Sequence, residues 1–212
     1  AFDRALATLR GLWALPGVET HVGTTITEDN ADAALELGGI LMAAVPGFEA
    51  RRWHWNWAQI SRHFYGNEHL RARPRVAPGA LLQRLRQRRG LPRGLVELME
   101  QLYLLHLEFV QRGEPSGIPC QALRSTVFVS PEGVLYPCHL YDRPLGSLRE
   151  HDLAELWESS AVLGARRDIE ALACGGCFSA CEAYPALAGA PVATARQTVR
   201  RAATLLGEAL TR

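Results

Sequence analysis

The sequence contains no lysine, although it carries 23 basic residues, all of them arginine. No physical requirement removes every lysine from a protein surface, so we attribute this absence to a compositional bias of the source. The chain also lacks a run of about 20 apolar residues, which a membrane-spanning helix needs. Its first residues lack the order of basic, apolar and small residues that marks a secretory signal. We therefore expect a cytoplasmic protein without a membrane partner.

An excess of charge of either sign is also absent, since the formal net charge is +1. Apolar residues make up 48% of the 212 residues, an ordinary globular composition that excludes a mainly disordered chain. One basic stretch holds eight arginines: Arg71, Arg73, Arg75, Arg84, Arg86, Arg88, Arg89 and Arg93. It has no interleaved aromatic residues on which bases could stack, so we interpret it as a solvated face paired with acidic neighbours. No nucleic-acid partner is predicted.

The first 75 residues alternate between helical and extended patterns. The spacing of apolar residues predicts a helix over 3–14, a strand over 18–26, a helix over 29–45 and a strand over 48–57. Thr27 or Asp29 is the expected cap of the second helix. This order is typical of a parallel α/β sheet, which needs more than two strands. We therefore interpret residues 1–75 as the tail of a larger α/β domain; the alternative is a small complete α+β domain.

The rest of the chain is predicted to be mostly helical outside one cysteine-containing segment. Residues 58–78 contain few periodic apolar positions and several glycines and prolines, which indicates a loop. Amphipathic helices are predicted over 80–89, 93–112 and 192–211.

Cysteine is scarce, and all five cysteines lie in one part of the chain: Cys120, Cys138, Cys174, Cys177 and Cys181. An odd number at uneven spacing fits metal or cluster ligation better than a disulfide framework. Cys174 and Cys177 form a Cys-x-x-Cys pair whose sulfurs can point into the same turn. Gly175 and Gly176 between them allow the backbone to wrap around an ion and to offer amide donors to sulfur.

A predicted β-hairpin over 126–138 brings the first two cysteines together. Val127 and Val129 precede a Ser-Pro-Glu-Gly turn, and an extended segment follows it, so Cys138 returns towards Cys120. Together with the pair, this supplies four thiolates, enough for an iron–sulfur cluster or a tetrahedral zinc. The role of Cys181 stays open between a ligand and a bystander. A nucleophilic role is disfavoured because no histidine lies near it in the sequence.

The cysteine pattern resembles a known domain. Its parts are Cys120-x12-Gly133-x4-Cys138, then Gly146-Ser-Leu-Arg-Glu150, then Leu153-Ala-Glu-Leu-Trp157-Glu-Ser159, then Cys174-x2-Cys177. This resembles the C-terminal auxiliary-cluster domain of radical S-adenosylmethionine enzymes, called SPASM in its two-cluster form and twitch in its shortened form. The resemblance covers about 118–184. The two-cluster form has seven cysteines and this chain has five, so the resemblance implies one [4Fe–4S] cluster.

The same resemblance implies an α/β architecture in four parts. These are the C-terminal half of a partial (β/α)6 barrel over 1–75, a helical connector over 76–117, an auxiliary iron–sulfur domain over 118–185 and a C-terminal helix over 186–212. Residues 22–27 with Asn30 are similar to the fourth barrel strand and its turn, and residues 53–61 to the next strand. Polar residues at the carboxyl ends of barrel strands face the active site. The implied contacts to S-adenosylmethionine or substrate are Thr25, Thr27, His54, Asn56, Gln59 and Ser61.

The implied function is that of a radical S-adenosylmethionine enzyme. Its auxiliary cluster would exchange electrons with a substrate radical or bind substrate, with a small molecule or peptide as substrate and flavodoxin or ferredoxin as electron donor. The family's Cys-x3-Cys-x2-Cys motif does not occur in this sequence. The chain is therefore expected to be the C-terminal part of a longer enzyme, inactive in S-adenosylmethionine cleavage by itself. The alternative is a zinc-stabilised, non-catalytic binding module with Cys120, Cys138, Cys174 and Cys177 as ligands.

Overall fold

The computed structural model of the protein describes residues 1–27, 29–31, 33–69 and 78–211. Part of the predicted 58–78 loop, the predicted boundary between residues 75 and 76, and Arg71, Arg73 and Arg75 lie outside the described residues. Within them the chain combines helices with two small sheets, which agrees with a mixed α/β class.

The N-terminal part contains two helices and two strands in alternation. They are α1 (Phe2–Trp13), β1 (Val22–Ile26), α2 (Ala34–Ala44) and β2 (Trp53–Trp57). The two strands pair in parallel, with Val22 opposite Trp53 and Ile26 opposite Trp57. The predicted parallel pairing is therefore confirmed, whereas the partial barrel stays an expectation, because this sheet has two strands among the described residues.

Both strands are shorter than the sequence predicts. Residues 18–21 and 48–52 lie before the first paired residues of the sheet. Their backbone amides therefore form no hydrogen bonds between the two strands, and some of them form hydrogen bonds within turns instead. The amide of Phe48 donates to the Val45 carbonyl over 3.0 Å, and residues 50–52 form a short 3-10 turn. The predicted strand bounds of 18–26 and 48–57 are thus wrong at their N-terminal ends.

The turn after β1 also differs from the prediction. Asn30 closes it: its Oδ1 accepts from the Thr27 amide and its Nδ2 donates to the Thr25 carbonyl, both over 2.9 Å. The helix begins only at Ala34 and has no side-chain cap. The expectation that Thr27 or Asp29 caps this helix is therefore wrong.

The two faces of β2 have different environments. Trp53, Trp55 and Trp57 are buried on one face, while His54 and Asn56 are half-buried on the other. Since side chains alternate along a strand, this pattern directs the two polar residues to the face that carries Gly23 and Thr25 of β1.

Two helices follow, α3 (Pro78–Arg89) and α4 (Leu95–Gln111), and they pack against each other. Among the described residues of the basic stretch, the predicted pairing with acidic neighbours occurs at Arg86 and Arg89, but the prediction of a solvated face is wrong there, because both side chains are largely buried. Arg86 pairs with the buried Glu108 over 2.8 Å, and Arg89 with the buried Glu100 over 3.4 Å.

The segment with the cysteines begins with a three-stranded antiparallel sheet of β3 (Phe128–Val129), β4 (Val134–Tyr136) and β5 (Gly146–Ser147). The predicted hairpin is confirmed, and β5 is an addition that the sequence did not predict. Next come α5 (Leu153–Trp157), which starts with a capping box, and α6 (Ser160–Glu170). Gly146 has a φ of 145°, and a Cβ there would overlap the Leu156 side chain, so glycine lets β5 approach α5.

The chain ends in α7 (Ala180–Gly189) and α8 (Pro191–Leu210). One hydrophobic core joins the N-terminal elements to α4 and α7, and a second lies among β4, α5 and α6. No described helix has both the length and the apolar character that crossing a bilayer requires.

Candidate metal centre and adjoining cavities

The hairpin places Cys120 and Cys138 with backbone amides directed at their sulfurs. The amide of Ala122 donates to Cys120 Sγ over 3.4 Å. The amides of Leu140 and Tyr141 donate to Cys138 Sγ over 3.4 and 3.3 Å. Amide donors to sulfur stabilise thiolate ligands and tune the potential of iron–sulfur clusters.

The second pair lies in an irregular turn between α6 and α7. Gly175 and Gly176 have φ values of 85° and 69°, which side chains other than glycine rarely adopt. This conformation lets the chain reverse between Cys174 and Cys177, as the sequence predicted. The Ser179 amide bonds to the Cys177 sulfur and counteracts the rise of its pKa. Three of the five cysteines thus accept from the amide two residues further on.

Four of the cysteines lie close enough together that charge on one raises the pKa of another. Burial is the main cause that raises the pKa of Cys120, and the charge of Cys174 adds to it. Burial likewise raises the pKa of Cys138 to about 11, with a contribution from Cys120. Cys177 is exposed as a residue, yet its sulfur is closely surrounded: burial, then the charges of Cys138 and Cys120, raise its pKa to about 12. Mutual repulsion of this kind marks a group of thiols that a cation would relieve.

Cys181 stands apart from this group. It lies in the first turn of α7 and is exposed. Burial of the sulfur raises its pKa, followed by the charge of Glu182, and no other cysteine contributes.

Glu182 and His139 form a buried polar pair beside the thiols. His139 Nδ1 lies 3.6 Å from Glu182 Oε1, and Thr126 Oγ1 donates to Glu182 Oε2 over 3.3 Å. His139 directly follows Cys138, so the pair links α7 to the end of the hairpin. The sequence reasoning missed both residues; a charged residue next to the last cysteine was the available signal.

The segment after β2 is fastened to this end of the hairpin. Ser61 Oγ donates to the His139 carbonyl over 2.7 Å, and His63 Nε2 donates to the Cys138 carbonyl over 3.2 Å. The side-chain Nδ2 of Asn67 donates to the Gln59 backbone carbonyl over 2.9 Å and so stabilises the conformation of this segment. Ser61 is buried in this contact, so the structure gives it a structural bond and places it at neither of the two cavities described below.

One cavity joins the thiols to the carboxyl end of β2. Its volume is about 900 Å³, and its lining includes Cys120, Cys177, Trp57 and Gln59. Gln59 donates to the Trp57 carbonyl over 3.1 Å. Among the predicted strand-end residues, Gln59 is therefore the one that shares a cavity with thiols.

A second cavity, of about 660 Å³, lies over the polar face of the two strands. Its lining includes Thr25, His54 and Asn56 from the predicted set, together with Glu100 of α4 and Tyr184 of α7. Thr27 lines neither cavity. Its hydroxyl accepts from the Asp29 amide over 3.3 Å in the turn after β1. Of the six predicted residues, four thus line the two cavities, Thr27 lies in the turn after β1, and Ser61 bonds to the end of the hairpin.

A hydrogen-bonded chain runs from this second cavity to the surface. Glu100 Oε1 accepts from the Tyr184 hydroxyl over 2.6 Å and from His54 Nδ1. His54 Nε2 lies 2.6 Å from His21 Nδ1, and His21 Nε2 lies 3.1 Å from Glu19 Oε1. The carboxylates can only accept, so His54 Nδ1 and His21 Nε2 are the donors at the two ends of this chain.

Glu100 is the buried anion of this chain. Burial opposes its ionisation, but the bond from His54 and the charge of Arg89 outweigh it and lower its pKa. The same carboxylate and burial raise the pKa of Tyr184, with burial the larger cause. Glu100 and Tyr184 were not predicted, because they come from helices far along the chain.

The donor chemistry of the thiols fits an iron–sulfur cluster. Over the ranges that the structure describes, no three His, Cys, Asp or Glu side chains form a group that could hold a single metal ion. Cysteine thiolates bind the separate irons of such a cluster, and backbone amides that donate to their sulfurs stabilise this ligation, as at Cys120 and Cys138.

Comparison with protein families supports the same cofactor. A family described as SPASM, an iron–sulfur cluster-binding domain, matches residues 120–178. The matched segment includes Cys120, Cys138, Cys174 and Cys177 and ends before Cys181. Searches of curated proteins and of solved structures found no match. The sequence-based resemblance is thus confirmed for the auxiliary iron–sulfur domain.

Proposed function

We propose that the chain is the auxiliary-cluster part of a radical S-adenosylmethionine enzyme and binds one [4Fe–4S] cluster through Cys120, Cys138, Cys174 and Cys177. The observation that carries this proposal is the shared environment of the four thiols: the charges of Cys120, Cys138 and Cys174 each raise the pKa of another cysteine in the group, and three of the four accept amide hydrogen bonds. Cys181 lies outside this group and is assigned no ligand role.

The cavity beside the thiols supports a role in substrate chemistry. Cys120 and Cys177 line it together with Gln59, so a molecule there would lie against both the metal centre and the end of β2. Bound at this point, a cluster would supply one-electron transfer to or from a substrate radical. Gln59 is positioned to hold the polar end of that substrate, while Trp57 contributes an apolar wall.

The cavity over the strands is the proposed site for S-adenosylmethionine or a second part of the substrate. Thr25, His54 and Asn56 line it, and Asn56 Oδ1 accepts from the Tyr103 hydroxyl over 3.3 Å, which orients its amide group. A small molecule or a peptide fits either cavity by size. Reduction of the cluster calls for a donor such as flavodoxin or ferredoxin, and the cytoplasm is the compartment where such donors and reduced thiols coexist.

Metal and sulfide analysis after anaerobic reconstitution tests the proposal. We expect about four irons and four sulfides per chain with visible thiolate-to-iron absorption, and loss of both in Cys120→Ala and Cys138→Ala. Circular dichroism of each variant shows whether it still folds, and Ser125→Ala is a matched control near the same loop. One zinc without sulfide, or full iron content in both cysteine variants, would contradict the proposal.

A second measurement concerns the radical chemistry. The sequence lacks the Cys-x3-Cys-x2-Cys motif, so we expect this chain to yield no 5′-deoxyadenosine from S-adenosylmethionine under a strong reductant. Detection of that product above the level of a protein-free control would place the radical-generating site within these residues and contradict the division of roles.

A further inference from the structure

Helix α8 is amphipathic in the reverse of the usual sense. A helix on a protein surface normally turns its apolar side to the core and its polar side to water. In α8 the inward side is polar: Thr194 and Arg201 are buried, and Thr198 bonds to His106 over 3.1 Å. Glu208 pairs with Arg112, the residue that follows α4, over 2.7 Å.

The outward side of α8 is apolar and regularly spaced. We call it the α8 outer face, and its six members are all exposed: Val192, Ala195, Val199, Ala202, Leu206 and Ala209. Successive members are separated by three and four residues in alternation, the spacing of a helix-pairing seam. Val192 and Val199 are 84% and 70% exposed, so nothing in the described structure covers them.

This spacing indicates a helical occupant. The seam spans nearly three heptads of a 20-residue helix, about 30 Å in length. Alanine occupies every second position, which leaves room for larger side chains of a partner helix between the valines and the leucine. A lipid surface would favour large aromatic or leucine side chains, and half of this face is alanine.

The charges beside the seam indicate the chemistry of the partner. Arg196 and Arg200 flank it one turn apart, and neither forms an ion pair among the described residues. The one acidic residue of α8 is Glu208, which is turned inward to Arg112. A second copy of the chain would bring two more arginines and no carboxylate to the seam.

We propose that the α8 outer face docks an amphipathic helix of a partner protein that carries large aliphatic residues at heptad spacing and acidic residues on its flank. This surface is separate from the thiols and from both cavities, so the inference does not depend on the proposed function. Burying the valines and the leucine supplies the affinity, and the arginines select the acidic flank.

Two synthetic peptides of three heptads test the proposal. Both have leucine at the seam positions; one has glutamate and its twin has lysine at the flanking positions. Like charges on each peptide oppose its pairing with itself. We expect the full chain to bind the labelled glutamate peptide at least about tenfold more tightly than the lysine twin in fluorescence anisotropy at low salt.

Variants distinguish this surface from other contacts. Val199→Glu should weaken binding at least about tenfold, while Leu153→Glu, an exposed apolar position on α5, should leave it unchanged. The double variant Arg196→Glu with Arg200→Glu should reverse the preference in favour of the lysine twin. This reversal is a gain of binding, which misfolding would not produce.

Several outcomes would overturn the proposal. They are equal affinity for the two peptides, no effect of Val199→Glu, or no reversal by the double variant. Sedimentation showing a dimer that Val199→Glu dissociates would assign the face to a second copy. Binding to anionic phosphatidylglycerol vesicles that depends on Val199, without peptide binding, would assign it to a membrane.

Discussion

His106 lies within α4 with none of its surface exposed, and its environment opposes a positive charge. Burial is the larger cause and the charge of Arg201 the second, and together they lower its pKa from 6.5 to about 4. Arg201 donates to the His106, Pro115 and Ser116 carbonyls over 3.1, 2.9 and 3.1 Å. The neutral histidine and the arginine therefore hold the segment that leads to Cys120.

This arrangement predicts a loss of stability in mild acid. The folded pKa of His106 is depressed, so its contribution is fully present above pH 6.5 and is lost as the pH falls from 6.5 towards 4. The loss should approach roughly 3 kcal/mol, since each unit of pKa shift is worth about 1.4 kcal/mol. Urea unfolding at pH 7.0, 6.0 and 5.0 measures it. His106→Gln keeps an acceptor but cannot titrate, so a slope equal to that of the wild type would contradict the assignment.

Cys181 permits a second test at a single residue. Because Glu182 is the only charged neighbour that adds to the rise of its pKa, Cys181→Ala should retain the iron of the reconstituted chain. Cys174→Ala should lose most of it, since Cys174 influences Cys120. Iron and sulfide content measures both. Loss of iron in Cys181→Ala together with retention of iron in Cys174→Ala would show that Cys181 is a cluster ligand and that Cys174 is not.

At the scale of elements, the approach of β5 to α5 depends on Gly146. Gly146→Ala would place a methyl group against Leu156 at a φ of 145°, so we expect a cost of about 1–3 kcal/mol in the free energy of unfolding. Gly11→Ala is the matched control, because Gly11 lies inside α1 with no atom near its Cβ position. That control should be neutral or stabilising by up to about 1 kcal/mol. Equal unfolding midpoints for the wild type and Gly146→Ala would contradict the packing.

Elements with a clear period could be predicted, whereas those defined by distant contacts could not. The predicted helix over 192–211 is observed as α8 at Pro191–Leu210, and the parallel pair and the hairpin are also present. Helix α7 was missed because it begins inside the cysteine set and contains Pro185, which disfavours helix in local reasoning. Helix α6 was missed as well, although Ser159 caps it in a regular way.

In the candidate site, too, residues with a local sequence pattern could be predicted, whereas residues brought in by distant contacts could not. The residue type and spacing of the cysteines indicate metal or cluster ligation, so all five could be identified as candidate ligands from the sequence. Glu100 contacts His54 across 46 residues of chain and Tyr184 across 84, and no local pattern indicates such contacts. Thr27 and Ser61 were expected at the active site, but the Thr27 hydroxyl is engaged in the turn after β1 and the Ser61 hydroxyl in a bond to the distant His139 carbonyl.

At the scale of the whole molecule, two hydrophobic cores share one polypeptide, and the thiols lie where the segments between them meet. The first core includes Trp57 of β2 and Phe178 beside Cys177, and the second includes Cys138. A cluster bound there would therefore stabilise the segments that join the two cores, because ligand binding adds directly to the free energy of folding.

Hydrogen exchange compared between the iron-loaded and the iron-free chain measures this coupling. We expect loading to slow exchange most at 126–141 and 172–179, where amides bond to sulfur or border the thiols. β1 should change least and exchange fast in both states, because Gly23 and Thr25 are exposed and β2 is its one neighbour among the described residues. Ser125→Ala, which keeps every cysteine, should give the wild-type pattern. Equal slowing of β1 and of the cysteine segments would show that the chain opens as one cooperative unit, and the expectation that loading acts mainly at the cysteine segments would then be wrong.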